Sequence, residues 1–481
     1  IVTDYNVYYG ANCRLIRSGN DYYSSLSAWQ SASGDDGNSY YFNPRYTDRV
    51  NGDLSTNYFR LKAGLNLLSL VPVDIEGDAR LNPPCIGADE FAPTGTTVLS
   101  GTINVPNDYA TIGAAIQALR DNPTSGTIRL QIADGTYAEQ LDFTDLDMNG
   151  DSLIVESASQ DSSKVIITHD ATNTDNYTVR LTSARNVHFR HLTLQSVGTT
   201  KGRVVVMDNT FENVSITNCF LQANNTTSNA DNMALVYSDN SSGSQLYVGH
   251  CRFENGSIAF RLDRLSSCND YSDIVIEHNQ FLHHAYAIFF SSYITDMQFQ
   301  HNYADLALGN DYGDYGLYLS SSSSIDIIGN DLRNIRAYAI YLVSVNGSAL
   351  DRCTLYNNRV IARSSSARPV YFASCDYWNV YHNTLLAYSA GEALYITNSN
   401  DLNLRNNVMA AFDRNAEAMF INNSANLTSD YNDFYAYGCY LIRQGGSFRN
   451  TLADWQSASG QDANSISVDP RVGGVTDPIT S

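Results

Sequence analysis

The chain has 481 residues, of which 43% are hydrophobic, and its 29 Lys and Arg stand against 50 Asp and Glu, for a formal charge of -21. This charge argues against nucleic acid and anionic membranes as partners, because both require a basic face. The sequence contains no run of about 20 apolar residues, so we expect no direct membrane insertion. Only 16% of the residues are charged and 33 are Tyr, a composition that favours strands and turns over exposed helices.

The first segment of the chain repeats near its end. Residues 1–45 align with residues 427–471 at an offset of 426 without a gap, and 21 positions are identical. The run QSASG at 30–34 recurs at 456–460, for example, and Trp29 recurs as Trp455. We therefore predict a parent protein built as a tandem array of units about 426 residues long.

The repeat divides the chain into three predicted parts. Residues 1–93 are the last coil and C-terminal cap of one unit, residues 94–101 are a linker, and residues 102–481 are the following unit without its terminal tail. Cys13 and Cys85 of the first part fit two alternatives, a disulfide bond or two separate buried thiols.

The segment after the linker predicts a short N-terminal capping helix. Its apolar residues recur at the spacing of one helical face, at Ile112, Ala115, Ile116 and Leu119. Such a face suits a helix that covers the open end of a stack of strands, where an exposed edge would otherwise pair with another chain.

Residues 185–434 repeat a shorter pattern, in which an alternating strand is followed by a polar residue, usually Asn, and by a turn. One coil of this kind cannot bury an apolar face alone, so we predict that successive coils stack about 4.8 Å apart around one core. The predicted core residues are Phe189, Ile216, Val248, Ile276, Phe299, Ile327, Val380 and Leu404. The recurring amides predict a structural ladder, with members Asn218, Asn279, Asn302, Asn330, Asn358, Asn383, Asn407 and Asn432.

Two flanking segments carry a resemblance to a known family. VPNDYATI at 105–112 with IADGTYAE at 132–139 resembles the opening of right-handed parallel β-helix, or pectin-lyase-like, domains. DIEGDAR at 74–80 with IGADEF at 86–91 is similar to the closing tail of secreted bacterial members. The resemblance implies an all-β, right-handed parallel β-helix at an extracellular location. The superfamily contains lyases, hydrolases and esterases, so the fold alone does not decide the activity.

The sequence shows no catalytic set, and we lean against an enzyme. β-Elimination needs a basic residue, yet the three lysines, Lys62, Lys164 and Lys201, all precede the coils from 202 onward. Hydrolysis of a glycoside needs carboxylates about 5 to 10 Å apart. The only adjacent Asp pair is Asp35 with Asp36, and its repeat counterpart is Gln461 with Asp462.

Four side chains are candidates for binding a glycan. Arg359 and Arg363 suit an acidic sugar, and Tyr377 and Tyr381 suit stacking on sugar rings. An Arg near an Asp is more often a surface ion pair, an alternative that also applies to RLDR at 261–264. We expect no metal site and no cofactor, although GNDYGDYG at 309–316 fits either a turn or oxygen ligands for calcium.

The leading hypothesis is a repeat segment of a large secreted or cell-surface adhesin or structural stalk. Its partners would be neighbouring units of the same chain, together with glycans or surfaces that it binds multivalently. The alternative is a polysaccharide lyase or glycoside hydrolase of the pectin-lyase-like superfamily. A self-assembling surface layer is a third possibility.

Overall fold

The computed structural model describes residues 2–10, 15–23, 25–93, 97–146, 148, 150–264, 271–308, 311–363, 367–438 and 440–471. From residue 99 to 449 the chain winds into stacked coils, and most coils contribute one strand to each of three parallel sheets. The predicted all-β parallel solenoid is confirmed. None of the helices in the described residues has the length and apolar character needed to span a lipid bilayer.

The three sheets are numbered in the order in which the chain passes through them within one coil. Sheet 1 contains Leu141–Asp142, Val179–Arg180, Val205–Val206, Ile258–Arg264, Ala287–Ser292, Tyr315–Ser320, Tyr338–Val343, Arg368–Ala373, Leu394–Thr397, Met419–Asn422, Ile442–Gln444 and the antiparallel Ser447–Arg449. Sheet 2 contains Leu99–Val105, Thr124–Ile132, Leu153–Ser157, Arg185–Arg190, Thr210–Thr217, Tyr271–Glu277, Ile294–Gln300, Ser323–Ile328, Cys353–Tyr356, Trp378–Tyr381, Leu402–Arg405 and Thr428–Asp430. The long strand Val236–Gly249 belongs to both and joins them.

Sheet 3 has twelve strands and follows the bend that ends sheet 2. They are Gly135–Tyr137, Val165–His169, Thr193–Ser196, Phe220–Gln222, Arg252–Glu254, Gln280–Leu282, Tyr303–Asp305, Asp331–Ile335, Arg359–Ala362, Thr384–Ala387, Val408–Ala411 and Asp433–Ala436. Three two-stranded pairs lie outside the main sheets: Val7–Tyr8 with Tyr40–Tyr41, Ile16–Ser18 with Asp21–Tyr23, and Ala307–Leu308 with Asp311–Tyr312.

The core runs along the whole solenoid because side chains of alternating strand residues point to opposite faces. All eight predicted core residues are fully buried, and sheet 2 pairs Phe189 with Ile216, Ile216 with Val248, and so on from coil to coil. The prediction of one continuous apolar core is therefore confirmed.

The described residues form three α-helices, Leu26–Ser33 (α1), Ile112–Asp121 (α2) and Leu452–Ser459 (α3), and two 3-10 helices, Phe59–Leu61 and Asp231–Met233. Helix α2 begins after Thr111, whose hydroxyl accepts a hydrogen bond from the Ala114 amide at 3.1 Å. Its four predicted apolar residues are buried against the core of the solenoid.

Seven of the eight predicted ladder residues form a continuous ladder at the bend between sheets 2 and 3. From Asn279 to Asn432 each is at most 2% exposed, and each amide Nδ2 of the first six donates to the Oδ1 of the next at 2.9 to 3.1 Å. The assignment of Asn218 is wrong. It is exposed and has a left-handed φ of 52°, and the next residue, Cys219, takes the ladder position and pairs with Cys251.

Candidate functional site

A column of aromatic side chains lies on the outer face of sheet 1. Its six members pair in register from one coil to the next, so they occupy the same position of successive strands. They point outward because the residues on either side of them in each strand point into the core. The aromatic column consists of Phe290, Tyr318, Tyr341, Tyr371, Tyr395 and Phe420.

The rings of the aromatic column contact one another without a gap. Successive ring centroids are 4.2, 5.1, 4.9, 4.5 and 4.4 Å apart. An arginine closes each end: the guanidinium carbon of Arg261 lies 4.3 Å from the centroid of Phe290, and that of Arg443 lies 4.1 Å from the centroid of Phe420. Such cation–π contacts stabilise both ends of the column.

The tyrosines of the aromatic column present hydroxyl groups to solvent. Within the described residues, the hydroxyls of Tyr318, Tyr341, Tyr371 and Tyr395 are neither hydrogen-bonded to protein nor buried without a partner. Burial, with smaller contributions from neighbouring tyrosines, raises the pKa of Tyr371 to about 12. Burial likewise raises the pKa of Tyr341. The phenols of Tyr341 and Tyr371 are therefore neutral hydrogen-bonding groups near neutral pH.

A second row of side chains borders the aromatic column. Tyr315 and Tyr338 stack at 5.8 Å, and Arg368 follows them in register. Arg368 donates to the buried carboxylate of Glu392 at 2.6 Å, and Arg443 donates to the other oxygen of Glu392 at 2.6 Å. This carboxylate therefore links two arginines across several coils and fixes one border of the aromatic face.

Beyond Arg261 the same face of sheet 1 carries three aspartates. Register continues from Arg261 to Tyr237 and then to Val206, and Asp263, Asp239 and Asp208 lie two residues after these positions. Asp208 follows the end of its strand, and Asp239 lies at a bulge after Ser238. All three side chains are half-buried, and at about 4.8 Å per coil the backbones of the outer two positions are about 10 Å apart.

Burial raises the pKa of two of these aspartates, Asp208 and Asp263, of which Asp263 also forms an ion pair with Arg261. Burial raises the pKa of Asp208, and Arg203 only partly offsets it. Burial also raises the pKa of Asp263, where Arg261 opposes the shift and Asp239 adds to it. We call Asp208, Asp239 and Asp263 the aspartate cluster. Carboxylates that differ in proton affinity within 5 to 10 Å are the groups used by glycoside hydrolases.

The four candidates from the sequence lie on other surfaces and do not meet. Tyr381 lies on sheet 2, where it stacks on Tyr356 at 5.3 Å. Tyr377 precedes that strand with a left-handed φ of 61° and has Arg352 5.6 Å from its ring centroid. Arg359 lies on sheet 3 and pairs with Asp331. The guanidinium carbon of Arg363 lies 4.7 Å from the Tyr388 ring.

Two other expectations fall partly on residues that the structure does not describe. Cys13 lies outside the described residues, and Cys85 is buried with its Sγ 3.6 Å from the Phe91 carbonyl, so the disulfide stays a prediction. Gly309 and Asn310 of the calcium alternative also lie outside them. In the described part of the chain, no three His, Cys, Asp or Glu side chains are grouped as metal ligands.

The sequence contains a signal for the aromatic column that motifs of polar residues do not reveal. An aromatic residue recurs within the apolar run of successive coils, as Phe290 in AIFFS at 287–291, Tyr318 in YGLYLS at 315–320 and Tyr341 in YAIYLV at 338–343. The aspartate cluster takes one residue from each of three coils, so a motif within one segment cannot reveal it. The absence of a catalytic set stays a prediction.

Comparison with known proteins identifies the fold. Residues 291–453 match a family model described as "Right handed beta helix region". Residues 99–449 have the fold of a right-handed β-helix. The structure of the Dettilon tailspike protein resembles this β-helix with 15% identity and a TM-score of 0.41, over 77% of this chain and 69% of that one.

Two further solved structures are similar at the level of the fold. The family 28 exopolygalacturonase of Yersinia enterocolitica has 12% identity and a TM-score of 0.41, over 73% of this chain and 82% of its own. The pectin methylesterase of Aspergillus niger has 14% identity and a TM-score of 0.30, over 61% and 86%. No curated protein matches the sequence of this β-helix.

Proposed function

We propose that this β-helix binds a linear polysaccharide along the aromatic face of sheet 1. The observation that carries the proposal is the unbroken aromatic column, in which six rings in successive coils stand 4.2 to 5.1 Å apart. Two of the successive ring pairs are stacked and three are tilted, so a ligand meets ring edges, parts of ring faces and hydroxyls. A sugar chain alternates C–H and O–H groups in the same way, so both kinds of contact can repeat along it.

The proposed biological setting follows the hypothesis from the sequence. As a repeat segment of a secreted or cell-surface adhesin or stalk, each unit would present one aromatic face, and several weak faces on one chain would raise the avidity. Helix α2 would act as the N-terminal cap, because its buried side covers the first coils. The extracellular location and the tandem array are part of this proposal.

The aromatic column gives the first test. Replacing Tyr341 and Tyr371 together by Ala should weaken polysaccharide binding about 5- to 150-fold, because each aromatic contact contributes about 0.5–1.5 kcal/mol and about 1.4 kcal/mol is tenfold. The wild type is first screened on a panel of soluble neutral and acidic polysaccharides by affinity electrophoresis, and dissociation constants are then measured by calorimetry on the best of them.

The matched control is the double change Tyr356→Ala and Tyr381→Ala, which removes a stacked pair from sheet 2. Circular dichroism establishes that both double variants keep the fold. Equal binding by the sheet 1 variant and the wild type would contradict the proposal, as would a wild type that binds none of the polysaccharides.

Glycoside hydrolysis is the second candidate function, and the aspartate cluster favours it. The cluster lies on the same face as the aromatic column and directly beyond Arg261, so a chain held on the aromatic rings would reach it. Asp208 or Asp263, with its raised pKa, would act as the general acid, and a second carboxylate would act as the base or the nucleophile.

The hydrolase candidate predicts that Asp208→Asn and Asp263→Asn each reduce the release of reducing ends at least about a hundredfold, the usual contribution of general acid–base catalysis. The assay uses the polysaccharide that the wild type binds best. Asp326→Asn on sheet 2 is the control, because Asp326 bonds Thr354 on another face and should leave the rate unchanged. A wild type that releases no reducing ends, or Asn variants with full activity, would exclude this function and leave the binding proposal standing.

A further inference from the structure

The structure contains two copies of one terminal coil, and both have the same conformation. In the first copy the indole Nε1 of Trp29 donates to Asp36 at 2.8 Å. In the second copy Trp455 donates to Asp462 at 2.8 Å. Both aspartates have left-handed φ angles, 60° and 58°. Helices α1 and α3 both end at a left-handed glycine, with φ angles of 75° and 70°.

The rest of each copy repeats this agreement. The backbone amide of Asn6 donates to the Ser39 hydroxyl at 2.8 Å, and that of Asn432 donates to the Ser465 hydroxyl at 2.8 Å. The two coils are therefore the same structural element, which the 426-residue offset already indicated.

The end of the first copy is covered by a following segment of the chain. Phe42 is only 7% exposed, because the ring of Tyr58 packs edge-on against it at 5.4 Å and Leu61 joins the same cluster. The guanidinium carbon of Arg45 lies 4.0 Å from the Tyr58 ring centroid. The hydroxyl of Thr56 donates to the Pro44 carbonyl at 2.9 Å.

The same positions of the second copy are uncovered. Val468, the counterpart of Phe42, is 50% exposed, and Ile466, the counterpart of Tyr40, is 52% exposed. Arg471, the counterpart of Arg45, is exposed as well, and Pro470 matches Pro44. We call Ile466, Val468, Pro470 and Arg471 the terminal face. It has the apolar residues, the carbonyl and the guanidinium that bind the covering segment in the first copy.

We propose that the terminal face is a docking surface whose occupant is a second copy of the segment 56–91. The occupant would place an aromatic ring against Val468 and Arg471, as Tyr58 lies against Phe42 and Arg45, and its threonine hydroxyl would donate to the Pro470 carbonyl. This surface lies at the end of the solenoid and is separate from the aromatic face, so it can be tested independently of the proposed function.

The test appends a copy of residues 56–93 directly after Ser481, which places it at the 426-residue offset on the intact chain. A Val468→Cys change in the parent and in the extended chain provides a reporter at the terminal face. The rate at which a thiol reagent modifies this cysteine is compared between the parent and the extended chain. From each rate, the rate measured for the same chain without the Val468→Cys change is subtracted. The extended chain should react at least about tenfold more slowly, since modification then requires local opening of the docked segment.

The control is the same extended chain with Tyr58→Ser and Leu61→Ser in the appended copy only. These changes remove the two apolar anchors and should restore the rate of the parent. Equal rates for the extended chain and the parent would overturn the proposal. Protection that appears in the parent as its concentration rises would assign the terminal face to another intact chain and would also overturn it.

Discussion

At the scale of single residues, the asparagine ladder satisfies buried polar groups that would otherwise be costly. Asn330 shows the arrangement: its backbone amide and its Nδ2 both donate to the Oδ1 of Asn358 at 2.9 Å, and Nδ2 also donates to the Phe299 carbonyl at 2.8 Å. One carboxamide oxygen thus accepts two hydrogen bonds from the preceding coil. Because the site is closed to water, loss of that oxygen leaves both donors without a substitute.

This arrangement predicts that Asn358→Ala lowers the free energy of unfolding by about 2–6 kcal/mol, because two buried donors of Asn330 lose their acceptor at about 1–3 kcal/mol each. Urea unfolding followed by circular dichroism measures the change.

The neighbouring position supplies the control for the ladder. Asn357 is exposed and has a φ of 55°, and the preceding coil has Gly329 at this position with a φ of 67°. Asn357→Gly should therefore change stability by no more than about 0.5 kcal/mol. If both substitutions have equal effects, the ladder does not provide the predicted stabilisation.

At the scale of strands and turns, the sequence best predicts whether a residue is buried where the residue type alone decides it. The alternation of apolar residues predicts every one of the eight core positions, because a strand has a period of two. The bend is less well determined, since two adjacent positions both accept Asn. One requires a left-handed backbone, which Asn tolerates, and the other is the buried ladder position. Asn218 occupies the first of these, as His250 does in the next coil.

The candidate site was harder to predict, because it depends on which residues of different coils are neighbours. Successive coils differ in length. The number of residues from Asp208 to Asp239 therefore differs from the number from Asp239 to Asp263, although each pair is one coil apart. The strand register that aligns them, including a bulge after Ser238, comes from backbone pairing. A column is therefore visible only after the strands have been aligned, whereas the recurrence of Tyr within YGLYLS and YAIYLV needed only a comparison of successive coils.

At the scale of the whole molecule, two of the hydrophobic cores formed by the described residues differ greatly in size. The larger runs from Ile103 to Trp455 and is enclosed by paired strands. The smaller contains Phe42, Tyr58 and Leu61 with a few partly buried neighbours. Within residues 47–93, the described backbone pairing is limited to the isolated bridges of Asp48 with Asp53 and of Val73 with Ala79, one 3-10 turn and local loop contacts.

This contrast predicts that residues 47–93 open without the solenoid. Opening of this segment breaks few backbone hydrogen bonds and exposes only the smaller core, whereas opening of a central coil breaks pairing in three sheets and interrupts the ladder. Amide hydrogen exchange measured by mass spectrometry should therefore be at least about tenfold faster for peptides from 47–93 than for peptides from 271–436. Exchange at one common rate over both regions would contradict this prediction. It would show that the two cores unfold as a single cooperative structure, in which contacts with the neighbouring coils stabilise the small core.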